Sequence, residues 1–225
     1  MKENINIRAD VHSYIVAITG ASGSLFGFSL LKALIDRSFF VHLIISKPGF
    51  KVIRDELGMF TDIGMETGAG SAVGKAVKDE IINKFGLYKA GDSFALLGED
   101  FLEARIASGS AKNVKGMIAI PCSMGSLSRI ANGISGNLIE RAADVMLKEK
   151  KKLIVCPRET PFSDIHLKNM LSLHSSGAII LPPIPAFYNK PQTVGDIVDF
   201  ITGKILDALD IENDVYARWN GYDSK

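Results

Sequence analysis

Short, almost continuous apolar runs alternate with longer segments of helical periodicity along most of this chain. Apolar runs of this kind predict strands that are covered on both faces, as in a parallel sheet. The predicted strands are Tyr14–Thr19, Val41–Ile45, Gly116–Ile120, Leu153–Cys156 and Ala178–Leu181, with Phe94–Leu97 as a further candidate. The predicted helices are Leu25–Asp36, Lys47–Leu57, Asn137–Lys150, Asp164–Ser175 and Val194–Leu209. The alternation predicts an α/β fold, a Rossmann-like or flavodoxin-like three-layer αβα sandwich with a mainly parallel sheet.

The length of 225 residues favours a single domain over residues 1–225. The glycine-rich stretch 58–98 interrupts the alternation around one candidate helix, Lys75–Phe85. It is either a surface excursion or a flap over a site. In the polar C-terminal tail, 210–225, the bulky side chains are aromatic, and we expect them to dock on this chain or on a neighbour.

Composition excludes several classes of partner. Lys and Arg number 26 against 25 Asp and Glu, which gives no electrostatic reason to expect a nucleic acid or an anionic membrane. Cys122 and Cys156 suit a reduced cytoplasmic protein better than a disulfide scaffold, and no targeting segment is visible. Neither the cysteines nor the histidines have the spacing of metal ligands. We therefore expect a cytoplasmic protein without a metal site.

The segments that follow the five main strands share a chemical character. In open parallel sheets, ligands bind outside the carboxyl ends of the strands. Each strand is followed there by glycine, proline, hydroxyl or charged residues, in the segments Gly20–Gly23, Ser46–Pro48, Pro121–Ser126, Pro157–Pro161 and Pro182–Tyr188. This coincidence predicts one composite site at that edge of the sheet.

Two of these segments have the character of anion-binding turns. In Gly20-Ala21-Ser22-Gly23 the small residues let backbone N–H groups approach an anion at a helix N-terminus. The same residues also suit a plain strand-to-helix turn, and they match neither the dinucleotide nor the Walker motif. Ser123 and Ser126 could bind a ligand in the same way, or could cap the next helix.

Charged residues on the predicted helix Asn137–Lys150 form a second group. Arg141 and Lys148 are two turns apart and share one face. That face is either solvated or functional. The helix is apolar enough around it to favour partial burial against another subunit. Arg158-Glu159, between two prolines at a strand's carboxyl end, favours a functional role.

A series of motifs from about Ile18 to Leu209 resembles the flavin prenyltransferases, the UbiX/Pad1 flavoprotein family. In chain order they are ITGASGSLFG, LIISK, IASGS, PCSMGSLSRIANG, NLIERAADVMLKE, CPRETPFSDIHLKNM and GAIILPPIPAFYNKPQTVGDIVDFITGKILD. The resemblance implies a flavoprotein that joins a dimethylallyl group from dimethylallyl phosphate to N5 and C6 of reduced FMN. It implies that the prenylated FMN product serves a UbiD-type decarboxylase. It also implies sites shared between the subunits of a homododecamer.

The resemblance also implies roles for individual residues. The FMN contacts would be Gly20, Ala21, Ser22, Ser46, Ser123, Met124, Gly125, Ser126 and Arg158. The catalytic residues would be Glu159, Lys148, Arg141 and Tyr188, and the prenyl phosphate would be bound by Tyr188, Lys204, Arg141, Lys148 and Trp219. Where some members have Arg, this chain has Lys204, which offers a point charge instead of a bidentate contact.

Two features of the sequence bear on mechanism and on rival functions. The chain has no Asp-Asp pair of the kind that holds magnesium in ordinary prenyl-diphosphate enzymes, so we expect metal-independent transfer supported by cationic side chains. The alternatives are an FMN-dependent cysteine-type decarboxylase and a non-catalytic flavin carrier. The first expects a histidine on Leu25–Asp36, which has none. The second would not need a second set of cations for a prenyl phosphate.

Overall fold

The computed structural model describes residues 11–61, 72–88, 92–219 and 221. Its strands form one parallel sheet in the order β3-β2-β1-β4-β5-β6, with the topological switch between β1 and β4. The strands are Ser13–Ile18 (β1), Phe40–Ile45 (β2), Phe94–Gly98 (β3), Val114–Cys122 (β4), Lys152–Pro157 (β5) and Ile179–Ile180 (β6). The helices are Ser24–Asp36 (α1), Lys47–Leu57 (α2), Ala72–Phe85 (α3), Met124–Ala131 (α4), Leu138–Lys148 (α5), Asp164–Ser175 (α6) and Val194–Ala208 (α7).

Helices cover both faces of this sheet, which confirms the predicted Rossmann-like three-layer sandwich. Successive side chains of a strand point to opposite faces, so Val16 and Ile18 of β1 lie in one apolar cluster and Ile15 and Ala17 in the other. The first cluster includes residues of α1, α2, α3 and α7. The second includes residues of α4, α5 and α6. The near-continuous apolar runs of the sequence have this two-sided burial as their cause.

Several predicted boundaries were wrong, and one helix was missed. α4 was not among the predicted helices, although the capping alternative for Ser123 implied a helix after it. The predicted helix Asn137–Lys150 is shorter at both ends. Asn137 is the N-cap and accepts from the Glu140 N–H, and Lys150 has a positive φ of 56° that no helix accommodates. The predicted strand Ala178–Leu181 retains only its two central residues.

The glycine-rich stretch 58–98 contributes α3 and β3. Val77 and Ile81 of α3 are buried in the first cluster, and Phe85 stacks on Phe28 of α1 with ring centroids 4.5 Å apart. Residues 62–71 and 89–91, on which the flap alternative partly rests, lie outside the described residues. In the tail, Tyr216 docks against α7, where its ring lies 5.3 Å from that of Phe200.

Candidate active site

Hydrogen bonds tie four loops together at the carboxyl edge of the sheet. Thr19 follows β1, and its hydroxyl donates to the Pro121 carbonyl oxygen at 2.9 Å and accepts from the Ser123 N–H at 2.7 Å. The Arg158 N–H, after β5, donates to the Cys122 carbonyl oxygen at 3.1 Å, and the Ser46 N–H, after β2, donates to that of Ile18 at 3.0 Å. The structure thus brings the segments of the nine predicted FMN contacts to one edge, at the switch point.

An internal carboxylate occupies the N-terminus of α1. Gly23, at the N-cap with a φ of 100°, has no capping side chain of its own. Its N–H donates instead to both carboxylate oxygens of Glu56 at 2.9 and 3.1 Å, and the Ser24 N–H and hydroxyl donate to Glu56 Oε2 at 3.0 and 2.7 Å. Burial raises the pKa of Glu56, but hydrogen bonds from Ser22, Ser24 and the Gly23 and Ser24 backbone outweigh it and lower the pKa below its usual range. Sequence reasoning missed Glu56.

The N-terminus of α4 has hydroxyls and N–H groups but no carboxylate. Ser123 is the N-cap: its hydroxyl accepts from the Ser126 N–H at 3.3 Å and donates to the Ser126 hydroxyl at 3.1 Å. The N–H groups of Met124 and Gly125 belong to the first turn, where the helix itself offers no acceptor, and none of the described residues supplies one. Apart from its chain neighbours and its own helix backbone, a Cβ at Gly125 would meet no atom of the described residues within 4 Å. This end of the helix is therefore an open cradle of donors.

The chemistry of this cradle fits FMN. Free N–H groups at a helix N-terminus, hydroxyl donors and open space suit a phosphate group, since the helix dipole favours negative charge there. Ser46, the N-cap of α2, already accepts a hydrogen bond from the Gly49 N–H at 3.0 Å. Gly20 lies so close to Pro48 that a Cβ on the glycine would come within 2.5 Å of the proline Cβ. The turn after β1 is thus a tightly packed wall beside the cradle.

A second cluster forms where the tail folds back on α7. Tyr188 and Trp219 are half-exposed and their rings meet edge to face at 5.5 Å. Lys204 lies on α7 with its Nζ 3.9 Å from Asp207 Oδ2, and Arg218 from the tail pairs with Asp207 Oδ1 at 2.7 Å. The hydrogen bond from Arg218 is the largest cause of a lowered Asp207 pKa, about 2. Burial raises the pKa of Asp207, whereas hydrogen bonds from Tyr216 and Asn213 lower it further.

Arg141 and Lys148 lie on the other side of the sheet. Both belong to α5, whose buried residues are part of the second apolar cluster, whereas Lys204 lies on α7, which packs in the first. Arg141 donates to the Ala107 carbonyl oxygen at 3.1 Å and pairs with Asp144 at 2.8 Å, and Lys148 pairs with Glu149 at 2.9 Å. In a single copy of the chain, the two groups of cations therefore belong to helices on opposite faces of the sheet.

Glu159 is exposed at the carboxyl edge, where one of its oxygens accepts from the Thr160 N–H at 3.0 Å. Its other oxygen makes no hydrogen bond to any of the described residues, so it is open to a proton or to a hydroxyl of a bound molecule.

Among the described residues, no group of three or more His, Cys, Asp and Glu side chains is placed to hold a metal ion. In the same part of the chain, no helix is long and apolar enough to cross a membrane.

Comparisons with known proteins point to one family. The family model Flavoprotein matches residues 6–206. The flavin prenyltransferase UbiX of Halalkalibacterium halodurans is 49% identical over 209 residues, which cover 92% of each chain. The crystal structure of AnUbiX (PadA1) in complex with FMN and dimethylallyl pyrophosphate superposes with a TM-score of 0.77 at 35% identity, covering 95% of this chain and all of that one.

The crystal structure of a dodecameric FMN-dependent UbiX-like decarboxylase from Escherichia coli O157:H7 superposes equally well. Its TM-score is 0.77 at 38% identity, and the match covers 93% of this chain and 100% of that one. By its fold and by these similarities, the chain belongs to the UbiX/Pad1 flavin prenyltransferase family of flavoproteins.

Proposed function

We propose that this protein is a flavin prenyltransferase that joins a dimethylallyl group from dimethylallyl phosphate to N5 and C6 of reduced FMN. The observation that carries the proposal is the presence of two separate provisions for anions. The cradle at the N-terminus of α4 suits the phosphate of FMN. The cations Arg141, Lys148 and Lys204, with Tyr188, suit a second phosphate, for which a protein that only stores FMN has no use.

The chain's own residues have definite tasks in such a transfer. Bound reduced FMN supplies the electron-rich N5 and C6 atoms. As the allylic C–O bond breaks, negative charge grows on the leaving phosphate, and Lys148, Arg141 and Lys204 stabilise it as fixed cations. The Tyr188 hydroxyl donates a hydrogen bond to the same group. Glu159, with one oxygen open, holds the proton that is delivered to the phosphate or removed from the flavin.

The position of these cations requires more than one copy of the chain. Arg141 and Lys148 lie on α5 and Lys204 on α7, on opposite faces of one sheet, so they meet only when different subunits contribute them. On α6, Ile165, Leu167 and Leu171 are between 53% and 68% exposed, and exposed apolar side chains of this kind are typical of subunit contacts. A homododecamer, the assembly of the E. coli relative, accommodates both observations.

Two further parts of the proposal concern the cell. The product, prenylated FMN, is passed to a UbiD-type decarboxylase, as the resemblance to the family implies. Cys122 and Cys156 are both free and buried, which supports a reducing compartment such as the cytoplasm. Of the two rival functions, neither the cysteine-type decarboxylase nor the flavin carrier accounts for the cations on α5 and α7.

The test is anaerobic incubation of the purified protein with reduced FMN and dimethylallyl monophosphate, with EDTA or magnesium, followed by mass spectrometry of the flavin. We expect a flavin heavier by one prenyl unit under both conditions. Lys148→Ala should lower turnover about 10- to 100-fold, as expected for a charge-assisted contact of about 1.5–3 kcal/mol, while FMN still binds. Lys115→Ala, which removes an exposed lysine on β4, is the matched control and should be as active as wild type.

Two results would count against the proposal. If EDTA abolishes the product and magnesium restores it, cationic side chains do not replace a metal. If wild-type protein forms no prenylated flavin under either condition, the transferase function is wrong and a flavin carrier becomes the better interpretation.

A further inference from the structure

The tail segment 213–219 is fastened to α7 at one carboxylate. Asp207 accepts four hydrogen bonds from the tail: Arg218 Nη2 at 2.7 Å and Nη1 at 3.2 Å, the Tyr216 hydroxyl at 2.7 Å and Asn213 Nδ2 at 2.8 Å. Arg218 also reaches the Asn213 carbonyl oxygen at 3.2 Å. One side chain of α7 thus holds three residues of the tail.

The surface of α7 is shaped for this contact. A Cβ at Gly203 would overlap the Tyr216 ring, so the absence of a side chain there lets the ring lie directly on the helix. The Arg218 guanidinium also lies over that ring, 5.2 Å from its centroid. The tail is therefore docked into a place that α7 provides.

The docked tail also contacts side chains that we expect at the prenyl phosphate. Tyr216 packs on Phe200 at 5.3 Å, Phe200 on Tyr188 at 6.1 Å, and Tyr188 on Trp219 at 5.5 Å, in a chain of edge-to-face contacts. Lys204 lies one turn before Asp207 on the same helix. Because Arg218 is the closer partner of Asp207, the Lys204 ammonium is held near the carboxylate but remains free to meet a phosphate.

We infer that Asp207 is a positioning residue of the prenyl-phosphate site, which it builds by clamping Arg218 and Tyr216 so that Trp219 is held against Tyr188. Its role for substrate rests on the proposed function, whereas its role in holding the tail does not. Loss of the clamp should release Trp219 from Tyr188, weaken the hold on the prenyl donor and leave FMN binding unchanged, since the FMN cradle is on α4.

The chain offers a direct probe, because Trp219 is its only tryptophan. Asp207→Asn removes the charge at constant shape, and Arg218→Gln removes the partner, whose side chain is half-exposed and not part of the core. In both variants, without ligand, we expect red-shifted tryptophan emission and about twofold stronger acrylamide quenching. Asp36→Asn, which breaks the exposed Lys32–Asp36 pair on α1, is the matched control and should match wild type.

Steady-state kinetics of prenylation then separate positioning from general damage. We expect KM for dimethylallyl monophosphate to rise about tenfold in both variants, kcat to stay within about threefold, and FMN affinity to match wild type. Arg218→Lys, which restores the charge, should recover part of the KM. Unchanged emission and quenching in both variants would overturn the clamp. Unchanged KM in variants of an active enzyme would overturn its role for substrate. An inactive wild-type enzyme would refute the proposed function, with the clamp still decided by fluorescence.

Discussion

Two helices begin at the switch point of the sheet, α1 after β1 and α4 after β4, and their N-termini differ. The N-terminus of α1 is filled by the carboxylate of Glu56, which accepts hydrogen bonds from the N–H groups of Gly23 and Ser24. At the N-terminus of α4, the described residues supply only the hydroxyls of Ser123 and Ser126 and no carboxylate. Every helix N-terminus attracts negative charge. A helix N-terminus at the carboxyl edge of a sheet is therefore open to a bound anion only where the protein has not already supplied one.

The largest expected effect comes from making α4 resemble α1. Ser126→Asp would place a carboxylate in the first turn of α4, where helices accept acidic residues well, so the fold should persist. The same carboxylate would face the FMN phosphate, and like charges placed together cost several kcal/mol. We expect FMN affinity to fall at least about 100-fold, measured by flavin fluorescence titration. Ser126→Asn, equal in shape but neutral, is the control, and equal affinities of the two variants would place the phosphate elsewhere.

The packing of the two turns can be compared by adding one methyl group to each. Gly20→Ala would bring its Cβ within 2.5 Å of the Pro48 Cβ, and the proline ring cannot move aside easily. We expect a loss of about 1–3 kcal/mol in the free energy of unfolding. Among the described residues, the Cβ of Gly125→Ala meets no atom within 4 Å beyond its own helix backbone and chain neighbours. The variant should be neutral, or more stable by up to about 1 kcal/mol, because alanine favours helix over glycine.

Urea denaturation of the FMN-free proteins measures both substitutions. If Gly125→Ala destabilises the protein as much as Gly20→Ala does, the N-terminus of α4 is not the open cradle described above.

The smallest expected effect distinguishes the two caps by pH. The native pKa of Glu56 is lowered below about 4.5, so its stabilisation is fully present above that pH and is lost as pH falls through the native pKa. Glu56→Gln should therefore cost about 1 kcal/mol of unfolding free energy at pH 7 and progressively less below pH 4.5. Ser123→Ala, which removes a neutral cap, should cost about 1 kcal/mol at every pH. Parallel pH profiles of the two variants would contradict the assignment of Glu56 as an ionised cap.

Local pattern was sufficient for most of the framework. β1, β2, β4 and β5 follow from apolar runs that are buried on both faces, and α2 and α6 begin and end where the sequence predicts. Ser46 and Ser123 cap the helices that follow them, as serines in that position commonly do. α4 was missed because it is short, and β6 was overestimated because an apolar run does not say how much of it finds a partner strand.

The sequence by itself thus determined the parallel sandwich, the edge at which its loops converge and, through its motifs, the family. Only the tertiary structure decided that α1 is closed and α4 open, because Glu56 reaches Gly23 across 33 residues of chain. It also decided that Lys204 and Arg141 lie on opposite faces, and that Arg218 of the tail clamps Asp207. Hydrophobic periodicity indicates which side chains of a segment are buried, and it can be read from that segment alone. Which distant groups meet depends on how the segments pack, and no local pattern carries that information.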